Sequence, residues 1–213
     1  MKDYILILKE AIDMINPQEI YYLSTDNKFK CLNERTFAYE LYYNWRICLN
    51  KYGIDDRKID AEITKIINEN FIPIMKSIFG FKDNKNHRCF YPDMVLHGGQ
   101  GDYEHQEISC EIKKYKEESR TELSKRVLID LKKISAYMTN NTLQSSSPYI
   151  LGVFVIIDGN LRQLRRLIKK KDILELNDKS KRIYCVSYMA EKKKHEVVKT
   201  TGMCTLEELI ENY

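Results

Sequence analysis

The run "YILGVFVIID", residues 149–158, constrains the fold more than any other stretch of this chain. It is almost continuously apolar, which fits a central strand buried on both faces rather than a surface strand with one wet side. Such a strand needs cover above and below, so the rest of the chain must supply helices on two sides of a sheet. With 213 residues, 43% of them hydrophobic, the chain can build one core of that kind as a single domain, 1–213. No apolar run approaches the length of a membrane span. The N-terminal "MKDYILILKEAIDMI" is studded with Asp and Glu, and therefore reads as an amphipathic helix and not as a leader peptide. The six cysteines form no CxxC pair, and Cys110 and Cys185 sit inside apolar, strand-like segments. That usage fits a reduced, cytoplasmic protein without a structural zinc.

Periodicity supplies the other elements. Residues 2–16 and 34–51 read as helices, the second with Phe37, Leu41, Trp45, Cys48 and Leu49 as its apolar stripe and Gly53 ending it. "KIDAEIT" (58–64) alternates as a strand, although "EITKIINENFIPIMKSIF" competes as a helix. "FYPDMVLHGG" (90–99) reads as a strand running into the turn "HGGQGD". "HQEISCEIKKY" then alternates, with Glu107, Ser109, Glu111 and Lys113 on one face and Ile108, Cys110 and Ile112 on the other. Two strands joined by a glycine-bearing loop predict an antiparallel hairpin. A helix over 120–139, the buried strand, a basic helix (160–171), a strand (182–189) and a short helix (205–212) complete a mixed α/β sheet flanked by helices.

Within that frame Asp93 needs a reason. A carboxylate inside an apolar run costs several kcal/mol of desolvation, roughly, unless a partner or a metal compensates it. Neighbouring strands lie about 4.8 Å apart, so a suitable register brings Asp93 and Glu111 within reach of one cation. Magnesium takes hard oxygen ligands and keeps several waters. The two carboxylates and the backbone carbonyl of Ile112 would supply half an octahedron, leaving water and a phosphate oxygen for the rest. Lys113 would project into the same pocket and stabilise negative charge building on phosphorus. The competing reading makes Glu111 and Lys113 a surface ladder worth under about 1 kcal/mol, but it leaves Asp93 unexplained. His87 and His97 have no metal-ligand spacing and are assigned core or surface roles. Tyr39, Tyr42 and Tyr43 are assigned to packing in preference to base stacking.

"YPD" followed, after seventeen intervening residues, by "CEIKK" resembles the PD-(D/E)xK nuclease superfamily, the restriction-endonuclease-like fold. The resemblance implies a core of helix, three strands, helix and strand, here about 34–158. Residues 1–33 would be an N-terminal helical extension and 159–213 a C-terminal helix-strand-helix addition. It implies that Asp93 and Glu111 bind Mg²⁺, with Mn²⁺ as a substitute, and that Lys113 assists catalysis. Many members carry a glutamate in the first core helix, and Glu40 occupies the matching place. Glu62, on the polar face of the first candidate strand, is placed within range of the same site. The helix bearing Asp130, Lys132 and Lys133 also looks similar.

The expected activity is hydrolysis of phosphodiester bonds in nucleic acid, DNA foremost. The net charge of +4 does not by itself select such a partner. Beside a nuclease-like site, however, Arg162, Arg165, Arg166, Lys169 and Lys170 form a plausible phosphate-facing patch. The alternative is a catalytically inactive module of the same fold that binds nucleic acid or a protein. Homodimerisation is compatible with either reading, and no membrane association is expected.

Overall fold

The computed structural model describes residues 3–23, 29–31, 33–61, 92–98, 105–116, 119–138, 149–169, 171, 176–193 and 196–212. Helix α1 (Tyr4–Met14) is followed by one turn of α2 (Pro17–Ile20) and a two-stranded ribbon, β1 (Tyr21–Leu23) with β2 (Phe29–Cys31). Helix α3 (Glu34–Lys51) starts on Asn33, whose side chain accepts the Thr36 N–H at 2.8 Å. It stops at Gly53, whose φ of +63° is the left-handed conformation that glycine adopts without a Cβ penalty.

The main sheet has the order β3-β4-β5-β6-β7-β8. Strands β3 (Lys58–Ala61), β4 (Met94–His97) and β5 (Gln106–Lys114) form an antiparallel meander. Helix α4 (Arg120–Tyr137) then crosses over, which lets β6 (Leu151–Ile157) lie parallel to β5. Helix α5 (Leu161–Leu167) and a 3₁₀ turn (Asn177–Arg182) make the second crossover, to a parallel β7 (Ile183–Lys193). Strand β8 (Glu196–Thr205) returns antiparallel at the edge, and α6 (Leu206–Asn212) follows. Among the described residues no helix is long and apolar enough to cross a membrane.

The doubly buried strand expected from the sequence is β6, in the middle of the sheet. Val153, Val155 and Ile157 pack on the α1/α3 side with Leu8, Ile12, Phe37, Leu41 and Trp45. Phe154 and Ile156 pack on the α4/α5/α6 side with Val127, Leu131, Ile134, Leu164 and Leu209. Each fully buried side chain of this size contributes about 1.5–3 kcal/mol relative to exposure. Helix α4 sits so close to β6 that a Cβ on Gly152 would overlap Ile134 Cγ2 and press on Met138 Sδ. Only glycine allows that approach.

Three expectations are corrected. The strand expected over 58–64 is β3 over its described part, Lys58–Ala61, while Glu62 and the competing helical segment lie outside the described residues. The basic helix is shorter than 160–171, ending at Leu167. The C-terminal addition contains an extra strand, β8, paired with β7. Tyr39 and Tyr43 are not packed: they are 56% and 63% exposed on the outward side of α3.

Candidate active site

Asp93 comes just before β4, whose register pairs Met94 with Cys110. Continuing that register puts Asp93 opposite Glu111, on the same face of the sheet. The chain turns at Pro92, and the Asp93 side chain takes over a backbone role: Oδ2 accepts the Ile112 N–H at 2.6 Å. Burial, the dominant influence, pushes the Asp93 carboxyl up to about 6, with repulsion from Asp130 and Glu34 adding to it. The Ile112 amide and the Lys113 ammonium oppose the shift without cancelling it.

Glu111 is 2% exposed. Its Oε2 lies 3.7 Å from Lys133 Nζ, and its Oε1 is buried with no hydrogen-bond partner among the described residues. Burial first, and the facing Asp93 second, raise its carboxyl well above the usual range. Two buried acids this close cannot both ionise cheaply.

Lys113 points into the same cluster. Its Nζ is 3.2 Å from Asp130 Oδ2, without hydrogen-bond alignment, and 3.7 Å from Glu34 Oε2. Burial works against the charge, but Asp130, Glu34 and Asp93 outweigh it, so the ammonium titrates above its ordinary value. Lys133 behaves alike: burial is outweighed by Glu111 and by Asp130, whose Oδ1 lies 2.8 Å away. Four carboxylates (Glu34, Asp93, Glu111, Asp130) thus face two ammonium groups, a formal charge of −2 when all are ionised. At the rim, Lys114 Nζ lies 3.4 Å from Asp158, a residue held at φ +59°.

The structure therefore brings Asp93, Glu111 and Lys113 together and adds Glu34, Asp130 and Lys133. Asp130 carried a readable signal: it falls on the apolar stripe of α4 between Val127 and Ile134 and is 4% exposed. Glu34, at the start of α3 and half exposed, stands in line with the stripe of Phe37 and Leu41, and its Oε1 accepts the Lys114 N–H at 2.8 Å. Glu40 is about 100° around the helix from that stripe, at 3.6 residues per turn. The helix glutamate that reaches the site is Glu34, in place of Glu40.

Ile112 sends its side chain into the α1/α3 core, and its N–H meets Asp93 Oδ2; its carbonyl is the third oxygen of the expected metal set. Among the described residues no three acidic, histidine or cysteine side chains converge closely enough to hold a metal alone. The donor set is thus Asp93, Glu111 and the Ile112 carbonyl, all oxygen, with one buried carboxylate oxygen lacking a partner. That chemistry fits a hard divalent cation with several remaining waters. Glu62 lies outside the described residues.

Of the basic patch, Arg162, Arg166 and Lys169 are exposed on the α4/α5 side of the sheet, and Lys170 lies outside the described residues. Arg165 is different. It is partly buried and donates to the Ile168 carbonyl at 2.9 Å, so it caps the end of α5 instead of facing solvent. Comparison with protein families, curated proteins and solved structures finds no match for this chain.

Proposed function

We propose that the chain is a magnesium-dependent nuclease of the PD-(D/E)xK type that hydrolyses phosphodiester bonds in nucleic acid, DNA foremost. The observation that carries this reading is the pairing of Asp93 with Glu111 on one face of the β4–β5 hairpin, with Lys113 beside them and the buried Glu111 Oε1 left without a hydrogen-bond partner among the described residues. The order of the described elements, α3-β3-β4-β5-α4-β6, supports it, since the resemblance implies helix, three strands, helix and strand in that sequence.

Asp93, Glu111 and the Ile112 carbonyl would hold Mg²⁺, which when bound supplies a more acidic water and neutralises charge on the phosphate. Asp93 keeps its orientation through the Ile112 amide, which fixes its Oδ2. Lys113 stays protonated between Asp130 and Glu34 and stabilises the charge that develops on the phosphate oxygens. Arg162, Arg166 and Lys169 would take neighbouring phosphates and carry no base specificity.

The deciding experiment incubates plasmid, single-stranded DNA and RNA with the protein in Mg²⁺, Mn²⁺ or EDTA. Metal-dependent cleavage that Glu111→Gln abolishes, with the fold intact, is the expected result. Removal of such a group costs on the order of 10²–10³ in rate or more. Equal cleavage by wild type and Glu111→Gln would sink the assignment. Binding without cleavage in any metal would leave the inactive-module reading.

A further inference from the structure

Among the described residues, Lys133 is the cation that comes within ion-pair distance of the proposed metal ligand Glu111. Its Nζ stands 3.7 Å from Glu111 Oε2 and 2.8 Å from Asp130 Oδ1, while Lys113 is engaged by Asp130 and Glu34. Both acids that Lys133 meets are nearly inaccessible, Glu111 at 2% and Asp130 at 4% exposure, and their remaining oxygens, Oε1 and Oδ2, are buried without hydrogen-bond partners among the described residues. A point charge therefore already occupies one oxygen of a ligand whose other oxygen is buried without a hydrogen-bond partner among the described residues.

We propose that Lys133 is the resident counter-ion of this site and that a divalent cation binds by displacing it from Glu111. This rests on the metal site of the nuclease reading. A dication held by Glu111 and an ammonium about 4 Å from the same carboxylate repel each other strongly in a partly dry pocket. One of them must retreat. Lys133 can do so, because its long stem pivots on α4 and Asp130, one turn back, remains its partner. Lys133 then tunes metal affinity: it keeps the empty site folded and makes the cation compete for entry. It is a positioning residue that acts through Glu111.

The test is Mn²⁺ binding to the full chain at fixed ionic strength and pH 7.5, with free Mn²⁺ read by electron paramagnetic resonance. Lys133→Met should bind Mn²⁺ about 10- to 100-fold tighter than wild type, because the competitor is gone. Lys133→Arg should return to near the wild-type affinity, and Lys9→Met, remote on α1, should match wild type. If Lys133→Met does not fold, the wild-type protein gives the answer: on Mg²⁺ addition the Lys133 side-chain ammonium resonance should shift and exchange faster, while that of Lys9 stays put. Unchanged or weaker Mn²⁺ binding by Lys133→Met, or an unmoved Lys133 signal at saturating Mg²⁺, would overturn the counter-ion role and leave the metal site standing. Absence of Mn²⁺ binding by wild type and by Lys133→Met alike would overturn both.

Discussion

Replacing Asp93 with Asn should make the metal-free protein more stable at pH 8 and leave it nearly unchanged at pH 4. The Asp93 carboxyl titrates at about 6 in the fold, against an ordinary value of 3.8. A raised acid means that the native state holds its proton over that window while the unfolded chain has lost it. Stability therefore falls as pH rises from about 4 to about 6, and the full cost persists above 6. A shift of roughly two pH units at 1.36 kcal/mol each amounts to about 3 kcal/mol. Asn mimics the neutral acid, and its Oδ1 can still accept the Ile112 N–H that Asp93 now accepts. Placing the extra NH₂ group returns part of the gain, so a net stabilisation of about 1–3 kcal/mol is expected. For a chain of this size that is roughly 2–12 °C in Tm. The assay is thermal unfolding of both proteins from pH 4 to 8 in EDTA, reading the difference between them at each pH. Adding Mg²⁺ should then stabilise wild type and much less so Asp93→Asn, because the variant lacks a ligand charge. A variant less stable than wild type at pH 8 in EDTA, or a difference that does not change with pH, would refute the account of Asp93 as a buried, uncompensated acid.

Asp130→Asn should destabilise the metal-free protein by about 3 kcal/mol in urea titrations, because two partly buried lysines lose the acid they share. Arg162→Glu combined with Arg166→Glu should weaken nucleic-acid binding and flatten its salt dependence by a slope of about 2, read from filter binding at several salt concentrations. Arg165→Ala should instead lower stability with little effect on that slope, since this side chain caps α5. Gly152→Ala should cost about 1–3 kcal/mol by overpacking against Ile134, measured by the urea midpoint.

The parts of the structure legible in the sequence are those in which one strong pattern decides the element. Helix α3 begins and ends where its stripe and its glycine put it, and "YILGVFVIID" lies at the centre of the sheet because nothing else can shelter it. The β4–β5 hairpin was readable too, along with the common face of Asp93, Glu111 and Lys113. Strand β8 was not. "EVVKTTGMCT" forms an edge, half its groups face water, and its polar residues carry neither strict alternation nor an apolar run. In the site, Glu34 was missed because its role depends on where α3 meets the end of β5, a tertiary fact that no local spacing encodes. Asp130 and Lys133 were within reach of a stricter rule, that an acid on a core stripe must have a buried partner.

The tight seat of α4 over Gly152 has a mechanical consequence. Lys133 precedes Ile134, the residue that rests on that glycine, by one residue and Asp130 by about one turn of helix. A helix resting on bare backbone cannot sink, and any side chain there would lift it. The contact therefore acts as a depth stop, fixing how far two charged groups stand above the sheet that carries Asp93 and Glu111. Lifting α4 by even an ångström would draw Lys133 from Glu111 and pull Asp130 from Lys113 together. The spacing of the acid–lysine cluster is thus set at a glycine that bears no charge.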